Sequence, residues 1–366
     1  MEMMSAYGGE SSEIPSVGSS GISVTPTLSW LPDSVLLEVL SFLSVRDLIR
    51  SCRTAKTKAG DGQAGCYNVV WAAGSSSACL QQGSMKKNTR PGISYYDEDV
   101  LNSKILWHLV RHWLGTSMQT LKIKGFLLSA KKQEFLTPAI LQVLEKRFPS
   151  LENLHLEETS LRSLSYDYLP STLKTLELSQ CEIPTTWFKS LANKIKTLPK
   201  LETLVLSNVS SFSNHHLEAI CSQSALKTLY LAGTYRVTDI GIQKAVPYLK
   251  GLEHFKLNGC NVTDITLHLI GCHLKHLRTL ALTNFCSLTD AGLACLSGIK
   301  TLEKLWLEYC FRLSSNCIIA VCVNMAALNY LNLNGIFFED QGIDEIRKSL
   351  PHCAVTNSFP NMDSKC

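Results

Sequence analysis

Cysteine and histidine are the residues of this sequence whose spacing first suggests chemistry. The chain holds 14 cysteines and 10 histidines among 366 residues. The cluster His268, Cys272, His273 and His276 carries the nitrogen and sulfur donors that zinc prefers. No Cys-x-x-Cys pair occurs anywhere in the chain to complete such a site. We therefore predict no metal site and no cofactor.

The spacing of the cysteines favours a structural role. Three of them lie eight residues after the first leucine of a repeated unit, and three lie five or six residues before the next first leucine. Free cysteine behaves as a small, mostly buried hydrophobic residue, so we predict that these side chains lie in a core. The first register holds Cys181, Cys260 and Cys310, and the second holds Cys221, Cys272 and Cys322.

Other signatures of catalysis are missing from the sequence. It contains no phosphate-binding Gly-rich loop ending in Gly-Lys-Ser/Thr, no Gly-x-Ser-x-Gly elbow and no His-Glu-x-x-His helix. The sequence therefore predicts a protein that recognises a partner and is not itself an enzyme.

An internal repeat accounts for most of the chain. Apolar residues recur at positions 1, 4 and 6 of a unit, and from Leu201 to Leu328 the first positions are 25 or 26 residues apart. This pattern is typical of leucine-rich repeats, in which positions 4 and 6 share one face of a short strand. No single repeat buries its apolar face alone, so stacked neighbours build one core. The first positions are Met118, Leu151, Leu173, Leu201, Leu226, Leu252, Leu277, Leu302 and Leu328.

The repeat predicts the fold class. We expect an α/β leucine-rich-repeat solenoid over residues 101–357, with parallel strands on the concave face and helices on the convex face. Thr-Asp pairs precede several of the returning helices, and we expect the threonine or the aspartate to cap them. These pairs are Thr238-Asp239, Thr263-Asp264 and Thr289-Asp290.

Positions 3 and 5 of each repeat point outward from the sheet, beside the inward leucines. Position 5 of one repeat is Trp306, and an outward tryptophan is unusual because exposed aromatic residues are frequent binding hot spots. We predict a substrate-binding surface on this face. The alternative is that a loop or the C-terminal tail covers these side chains. The predicted residues are Tyr230, Lys256, Trp306, Tyr330 and His155.

Composition and charge exclude several classes of protein. A net charge of +4 on 40.5 kDa is too small to indicate a nucleic-acid-binding face. No apolar run approaches the roughly 18 residues of a membrane span. The first residues include Glu2 and Glu10 and lack the basic and apolar segments of a signal peptide. We expect a cytoplasmic and/or nuclear protein with free thiols and no nucleic-acid or membrane partner.

The front of the chain forms a different module. Residues 1–27 are rich in Ser, Gly and Pro and predict a disordered tail. Residues 33–43 place apolar side chains over most of a helix surface, and the sequence from Ser44 to Asp47 matches a capping box for a second helix that ends near Cys52. Two short helices this apolar require the rest of a helical domain or a partner protein.

This module resembles the first half of an F-box, in the segments LPDSVLLEVLSFL (31–43) and VRDL (45–48). An F-box followed by leucine-rich repeats is the layout of the F-box/leucine-rich-repeat family. Further resemblance to that family lies in KILWHLVRHW (104–113), LPSTLKTLELSQCEI (169–183), GTYRVTD (233–239) and LPHC (350–353). Together these stretches place the resemblance over about 31–53 and 104–355.

The resemblance implies a short α-helical F-box over 28–53 that docks on the adaptor Skp1, and through it on a cullin–RING ligase. The repeats would hold a protein substrate for ubiquitination and proteasomal degradation. The alternative is a leucine-rich-repeat binder or inhibitor that stands alone. A ligase that carries ubiquitin on its own cysteine would need an exposed, activated thiol. The residues implied for docking are Leu31, Pro32, Leu36, Leu40, Phe42, Leu43, Val45 and Leu48.

The F-box pattern breaks after Cys52. Ala55 stands about where the family has a tryptophan, and Trp71 is the only candidate substitute. Residues 54–100 have the Gly- and Ser-rich composition of a linker, and 358–366 form a tail. Either the F-box is truncated after its second helix, or this stretch is an inserted loop. We favour the first, because a structureless loop this long is improbable inside a small domain.

Overall fold

The strands of this protein lie side by side in chain order. The structure, a computed structural model, describes residues 68–72, 103–112, 118–125, 127, 136–188, 198–338 and 341–358. Within these ranges, eleven strands form one sheet in which every neighbouring pair is parallel. They are β1 (Asn68–Ala72), β2 (Thr120–Lys124), β3 (Asn153–Glu157), β4 (Thr175–Ser179), β5 (Thr203–Ser207), β6 (Thr228–Ala232), β7 (His254–Asn258), β8 (Thr279–Thr283), β9 (Lys304–Glu308), β10 (Tyr330–Asn332) and β11 (Ala354–Thr356).

Helices return the chain from one strand to the next. The α-helices of the described residues are α1 (Ser103–His112), α2 (Pro138–Arg147), α3 (Asn214–Gln223), α4 (Asp239–Ala245), α5 (Asp264–His273), α6 (Asp290–Ala294), α7 (Ser315–Cys322) and α8 (Gly342–Ser349). Short 3-10 helices lie between these elements at Tyr166–Tyr168, Val246–Tyr248 and Cys295–Gly298. The predicted F-box over 28–53 and the predicted tail over 1–27 lie outside the described residues.

The leucines at positions 4 and 6 form the core between sheet and helices. In β9, Leu305 and Leu307 are 0% exposed, and Trp306 between them is half-buried on the opposite face. The same alternation runs through β3, β4 and β5. One continuous cluster of buried side chains extends from Leu106 to Leu350. The predicted α/β leucine-rich-repeat solenoid is confirmed.

One strand lies where the sequence predicted no regular element. β1 falls inside the stretch 54–100 and pairs with β2 in parallel, so that Val69 aligns with Leu121. Val69 and Val70 are β-branched and suit a strand. A run of five residues between glycine-rich flanks is too short for periodicity to reveal it.

Position 8, which follows the strand, adopts the left-handed backbone conformation in the eight repeats that contain β3 to β10. This turn lets the backbone N–H of position 8 continue the hydrogen bonding between neighbouring strands, as Gln180 does by donating to the carbonyl of Ser207 at 2.7 Å. At Gly335 (φ 75°) space is also limiting, because a Cβ there would lie 2.3 Å from Cδ1 of Tyr309. The other residues at this position are Glu158, Asn208, Gly233, Gly259, Asn284 and Tyr309.

The Thr-Asp pairs link consecutive repeats. Thr238, Thr263 and Thr289 occupy helix N-cap positions as predicted, but only the Thr263 side chain accepts a hydrogen bond from its own helix. Asp239 instead serves the following repeat. Its Oδ1 accepts from the backbone N of Thr263 at 3.0 Å, and its Oδ2 accepts from the Thr263 hydroxyl at 3.0 Å. The prediction that these residues cap the helix of their own repeat is therefore correct only for Thr263.

This contact recurs from one repeat to the next and forms an aspartate ladder, which we define as Asn214, Asp239, Asp264 and Asp290. Each accepts a hydrogen bond at 2.9–3.0 Å from the backbone N–H of the N-cap residue in the next repeat. Gly292 leaves room for the ladder, since a Cβ there would lie 2.2 Å from Oδ1 of Asp264. Because helix N-termini have unpaired N–H groups, the ladder stabilises the stack by capping across repeats.

Five of the six cysteines predicted to be buried are in the core. Cys181, Cys260, Cys310, Cys221 and Cys322 are all buried. The first three also donate to carbonyls of the preceding repeat, as in the 3.3 Å contact from Cys181 Sγ to the carbonyl oxygen of Leu156. These five thiols therefore behave as small hydrophobic residues, and three of them also make weak hydrogen bonds.

The prediction for Cys272 is wrong, because this residue is exposed. In α3 and α7 the buried cysteine is the eighth residue after the N-cap. In α5 that place belongs to Gly271, and Cys272 follows it, rotated by about 100° toward solvent. The number of residues between each cysteine and the first leucine of the next repeat did not reveal this shift. The loops that connect these helices to that leucine differ in length by one residue.

Burial should separate the cysteines by reactivity. Burial raises the pKa of the Cys221 and Cys310 thiols to about 12, and the thiolate is the reactive form. A raised pKa keeps these thiols protonated at about pH 8. We expect a maleimide to label Cys272 and Cys286, which are exposed, and to label Cys221 and Cys310 only after unfolding. Peptide mass spectrometry checks this, and equal labelling rates for Cys286 and Cys310 in the folded chain would contradict it.

Candidate binding surface on the concave sheet

Position 5 of successive repeats forms one row across the concave face. The strand register aligns Tyr230 with Lys256, Lys256 with Ala281, and Ala281 with Trp306. Ala281 is small and only 9% exposed. The Lys256 side chain extends across it, so that Nζ lies 5.7 Å from the centroid of the Trp306 ring. The pleat of the strands thus places a cation over an aromatic ring.

An aromatic pair stands at the C-terminal end of this row. The rings of Trp306 and Tyr330 lie 5.2 Å apart between centroids, at an interplanar angle of 50°. Both side chains are half-buried, and the Tyr330 hydroxyl lies 3.4 Å from Oγ1 of Thr356. Next to the pair, Asn332 donates to Oε1 of Glu308 at 2.7 Å. Trp306 is therefore held by its neighbours on the concave face and takes no part in the leucine core.

The structure groups some of the predicted substrate-binding residues and separates others. Lys256, Trp306 and Tyr330 form one cluster, and Tyr230 lies in the strand beside Lys256. His155 lies in β3 near the other end of the sheet, where its Nδ1 contacts a carboxylate oxygen of Glu177. Binding by any of these residues stays a prediction. The eight residues predicted for adaptor docking lie outside the described residues.

Three residues near this surface were not singled out from the sequence. Lys304 is exposed at position 3 of the strand that carries Trp306. Phe311 and Phe337 occupy position 10 of consecutive repeats, just beyond the strands, and are 59% and 76% exposed. A comparison of positions 3 and 10 between repeats, like the one made for position 5, would have identified these three residues from the sequence.

A cavity of about 450 Å³ opens beyond the ends of β3–β6. It is lined by Arg162, Glu182, Pro184, Ser210, Ser211 and Arg236, among others. Arg162 already pairs with Glu182, at 2.9 Å from Nε to Oε2. The lining is therefore mixed in charge and does not define an anion site.

The chemical groups of the described residues are those of a binding surface. They include no group of three or more His, Cys, Asp or Glu side chains placed to hold a metal ion. No helix among them is long and apolar enough to cross a membrane. The features that stand out are a cation, two aromatic rings and hydrogen-bonding groups on an open sheet, an arrangement suited to binding a protein segment.

Stacked strand–helix units around a leucine core define the class of this protein as a leucine-rich-repeat solenoid. A chain in the structure of the yeast Rad7 and Elc1 complex has a similar fold, with a TM-score of 0.52 and 18% identity, and the match covers 73% of this chain and 70% of that one. At this identity the likeness shows the fold alone. No protein-family model matches the chain.

Relatives of known sequence narrow the class to one family. Human F-box/LRR-repeat protein 12 is 34% identical over 338 residues, which cover 90% of this chain and 95% of that protein. The bovine protein of the same name is 33% identical over 339 residues, with the same coverage of each chain. The chain belongs to the F-box/leucine-rich-repeat family, as the residues around the F-box and the repeats predicted.

Proposed function

We propose that this protein is the substrate-recognition subunit of an SCF (Skp1–cullin–F-box) ubiquitin ligase. The observation that carries the proposal is the 34% identity along 95% of human F-box/LRR-repeat protein 12. A chain of the same family and nearly the same extent is expected to keep both parts of a receptor, the docking module and the repeats. It acts without catalysis of its own, in the cytoplasm and/or the nucleus, and the conjugating enzyme is recruited through its partners.

Docking on Skp1 is assigned to the F-box over 28–53. The two helices predicted for this segment would offer apolar anchors to a groove, which is a common mode of binding between helices and partner proteins. The docking residues proposed are Leu31, Pro32, Leu36, Leu40, Phe42, Leu43, Val45 and Leu48. No docking residue is proposed in the stretch 54–100, part of which forms β1, or in the tail over 358–366.

Substrate capture is assigned to the concave face of the solenoid. Lys256, Trp306 and Tyr330 supply a compact set of cationic and aromatic side chains, and Tyr230 extends it along the row. Aromatic side chains held on a rigid sheet lose little conformational entropy on binding, so they suit a hot spot. His155 would contribute at the other end of a long substrate segment.

A second function is favoured by one feature of the sequence. Ala55 stands where the family has a tryptophan, and the F-box pattern does not resume after it. A chain with an incomplete F-box would bind its target through the repeats but would not deliver it to a ligase. It would then act as a stand-alone binder or inhibitor.

Capture of Skp1 by the full-length chain separates these two functions. We expect the wild-type chain to retain purified Skp1, and we expect Leu36→Asp/Leu40→Asp to abolish retention, because two charges replace apolar anchors on one face of a predicted helix. Val323→Asp, the same kind of apolar-to-charged change at a 57%-exposed position of the solenoid, is the matched control and should bind normally. A folded wild-type chain that fails to retain Skp1 would overturn the ligase proposal and favour the stand-alone binder.

A further inference from the structure

Charge is distributed unevenly along the concave face. At its N-terminal end, charged side chains neutralise one another across strands. Lys124 lies 2.7 Å from Oε1 of Glu157 and 3.0 Å from Oε1 of Glu158, and His155 contacts Glu177. Lys122 of β2 is exposed at this end and is not among these pairs.

The C-terminal end is different. Lys256 and Lys304 are both exposed, and neither forms an ion pair with any carboxylate of the described residues. The acidic side chains of the same repeats already have partners. Glu253 and Glu303 both engage Arg278, at 3.7 Å and 2.9 Å. Lys256 and Lys304 thus have no carboxylate partner among the described residues, and both lie close to the aromatic pair of Trp306 and Tyr330.

The third acidic side chain of this region, Glu308, is also occupied. It accepts hydrogen bonds from Asn332 at 2.7 Å and from Thr283 at 3.5 Å. Both donors are uncharged, so Glu308 keeps its negative charge, and the outward positions of β7, β8 and β9 carry two lysines and one glutamate. Positions 3, 5 and 7 of β5–β11 contain no arginine, whose planar guanidinium is the usual partner of a phosphate group. The lysine ammonium group is a compact point charge, and it can pair with a single carboxylate.

Both lysines lie next to the aromatic pair. Lys304 shares β9 with Trp306, two residues away and therefore about 6.6 Å along the strand on the same face. Lys256 reaches Trp306 from two strands away, across Ala281, in a direction roughly perpendicular to β9. Tyr330 aligns with Lys304 in the register of β9 and β10. One short extended peptide can therefore contact both ammonium groups and both rings.

We infer that the surface formed by Lys256, Lys304, Trp306 and Tyr330 binds an acidic peptide segment of a partner protein. Carboxylates of the segment pair with the two lysines, and an apolar side chain between them packs on the aromatic rings. This inference rests on the proposed function, because it names the chemistry of the substrate segment that the repeats would capture. Nucleic acid is a poor fit, since two lysines would neutralise few phosphates.

A peptide library tests this chemistry before any substrate is identified. Random peptides of about twelve residues are displayed on phage and selected on immobilised full-length chain. We expect the retained peptides to be enriched in Asp and Glu by about threefold over the input, with an aromatic or aliphatic residue among the acids. Retention of neutral or basic sequences, or no enrichment at all, would overturn the inference.

Charge-reversal variants locate the binding surface. The most enriched peptide is measured by fluorescence anisotropy against Lys256→Glu/Lys304→Glu, and against Lys122→Glu as control. Lys122 is an exposed lysine at position 5 of β2, near the other end of the sheet. We expect the double variant to weaken binding by about tenfold or more, because two attractions become repulsions, and we expect the control to stay within about twofold. Equal effects of both variants would overturn the assignment to this surface.

Skp1 capture is measured on the same samples, so that the two proposals fail separately. Lysine variants that lose the acidic peptide should retain Skp1. Normal Skp1 capture without acidic enrichment overturns only the acidic-segment inference. Acidic enrichment without Skp1 capture supports the binding surface and overturns the ligase proposal.

Discussion

Replacing Asp239 with alanine is expected to lower the free energy of unfolding by about 2–4 kcal/mol. The carboxylate accepts hydrogen bonds from the backbone N and hydroxyl of Thr263, and from the backbone N and hydroxyl of Thr266 at 3.1 Å and 2.6 Å. Thr266 is 1% exposed, so its hydroxyl has no access to water that could replace the lost acceptor. Urea unfolding followed by circular dichroism measures the change.

Asp239→Asn is the matched control for this prediction. Asn214 holds the equivalent place in the preceding repeat, where its Oδ1 accepts from the backbone N of Thr238 and its Nδ2 donates to the Thr238 hydroxyl, both at 2.9 Å. An asparagine at 239 can therefore keep the acceptor for Thr263, and we expect a loss of about 1 kcal/mol or less. If alanine and asparagine destabilise the chain equally, the hydrogen bonds of the aspartate ladder do not hold the repeats together.

Leu305→Ala is expected to lower the stability of the fold, whereas Trp306→Ala is expected to lower substrate capture, although the two residues are adjacent in one strand. Leu305 is 0% exposed in the leucine core, so its truncation should cost about 2–5 kcal/mol of stability. Trp306 lies on the concave face, and its contacts there are with Tyr330 and Lys256. We expect its truncation to leave the melting temperature nearly unchanged and to reduce substrate capture by about tenfold or more.

Capture is measured in cells as ubiquitination that depends on the expressed chain. Substrates are defined as proteins whose ubiquitin-remnant peptides rise with the wild-type chain and do not rise with Leu36→Asp/Leu40→Asp. Trp306→Ala should return most of them to background at equal expression. A large loss of melting temperature in Trp306→Ala would identify Trp306 as a core residue and contradict the binding role.

The repeat made much of this fold predictable. Leucines at positions 4 and 6 identify the strands and the inward face, and the alternation of side chains then directs Trp306 outward. Both inferences use one strand at a time, so they do not depend on neighbouring elements. Family membership was predictable for a similar reason, because the segment from Leu31 to Leu48 and the repeats are contiguous in sequence.

Contacts between repeats were not predictable in the same way. The sequence shows Asp239 beside Thr238, yet the partner of its carboxylate is Thr263, 24 residues away in the next repeat. The burial of a helical cysteine changes with a one-residue shift in loop length, which is why Cys272 was misplaced. Such contacts depend on how helices stack, and helix stacking is set by packing across the whole core.

By itself, the sequence determined the α/β solenoid, the residues of its core and the family of the protein, because local periodicity and contiguous motifs carry that information. Only the tertiary structure decided which charges are paired. Lys124 and Lys256 are both lysines of the concave face, but Glu157 on the adjacent strand neutralises the first, while no carboxylate of the described residues pairs with the second. The strand register and the side chains on neighbouring strands determine that difference, since ion pairs form only over a few ångströms.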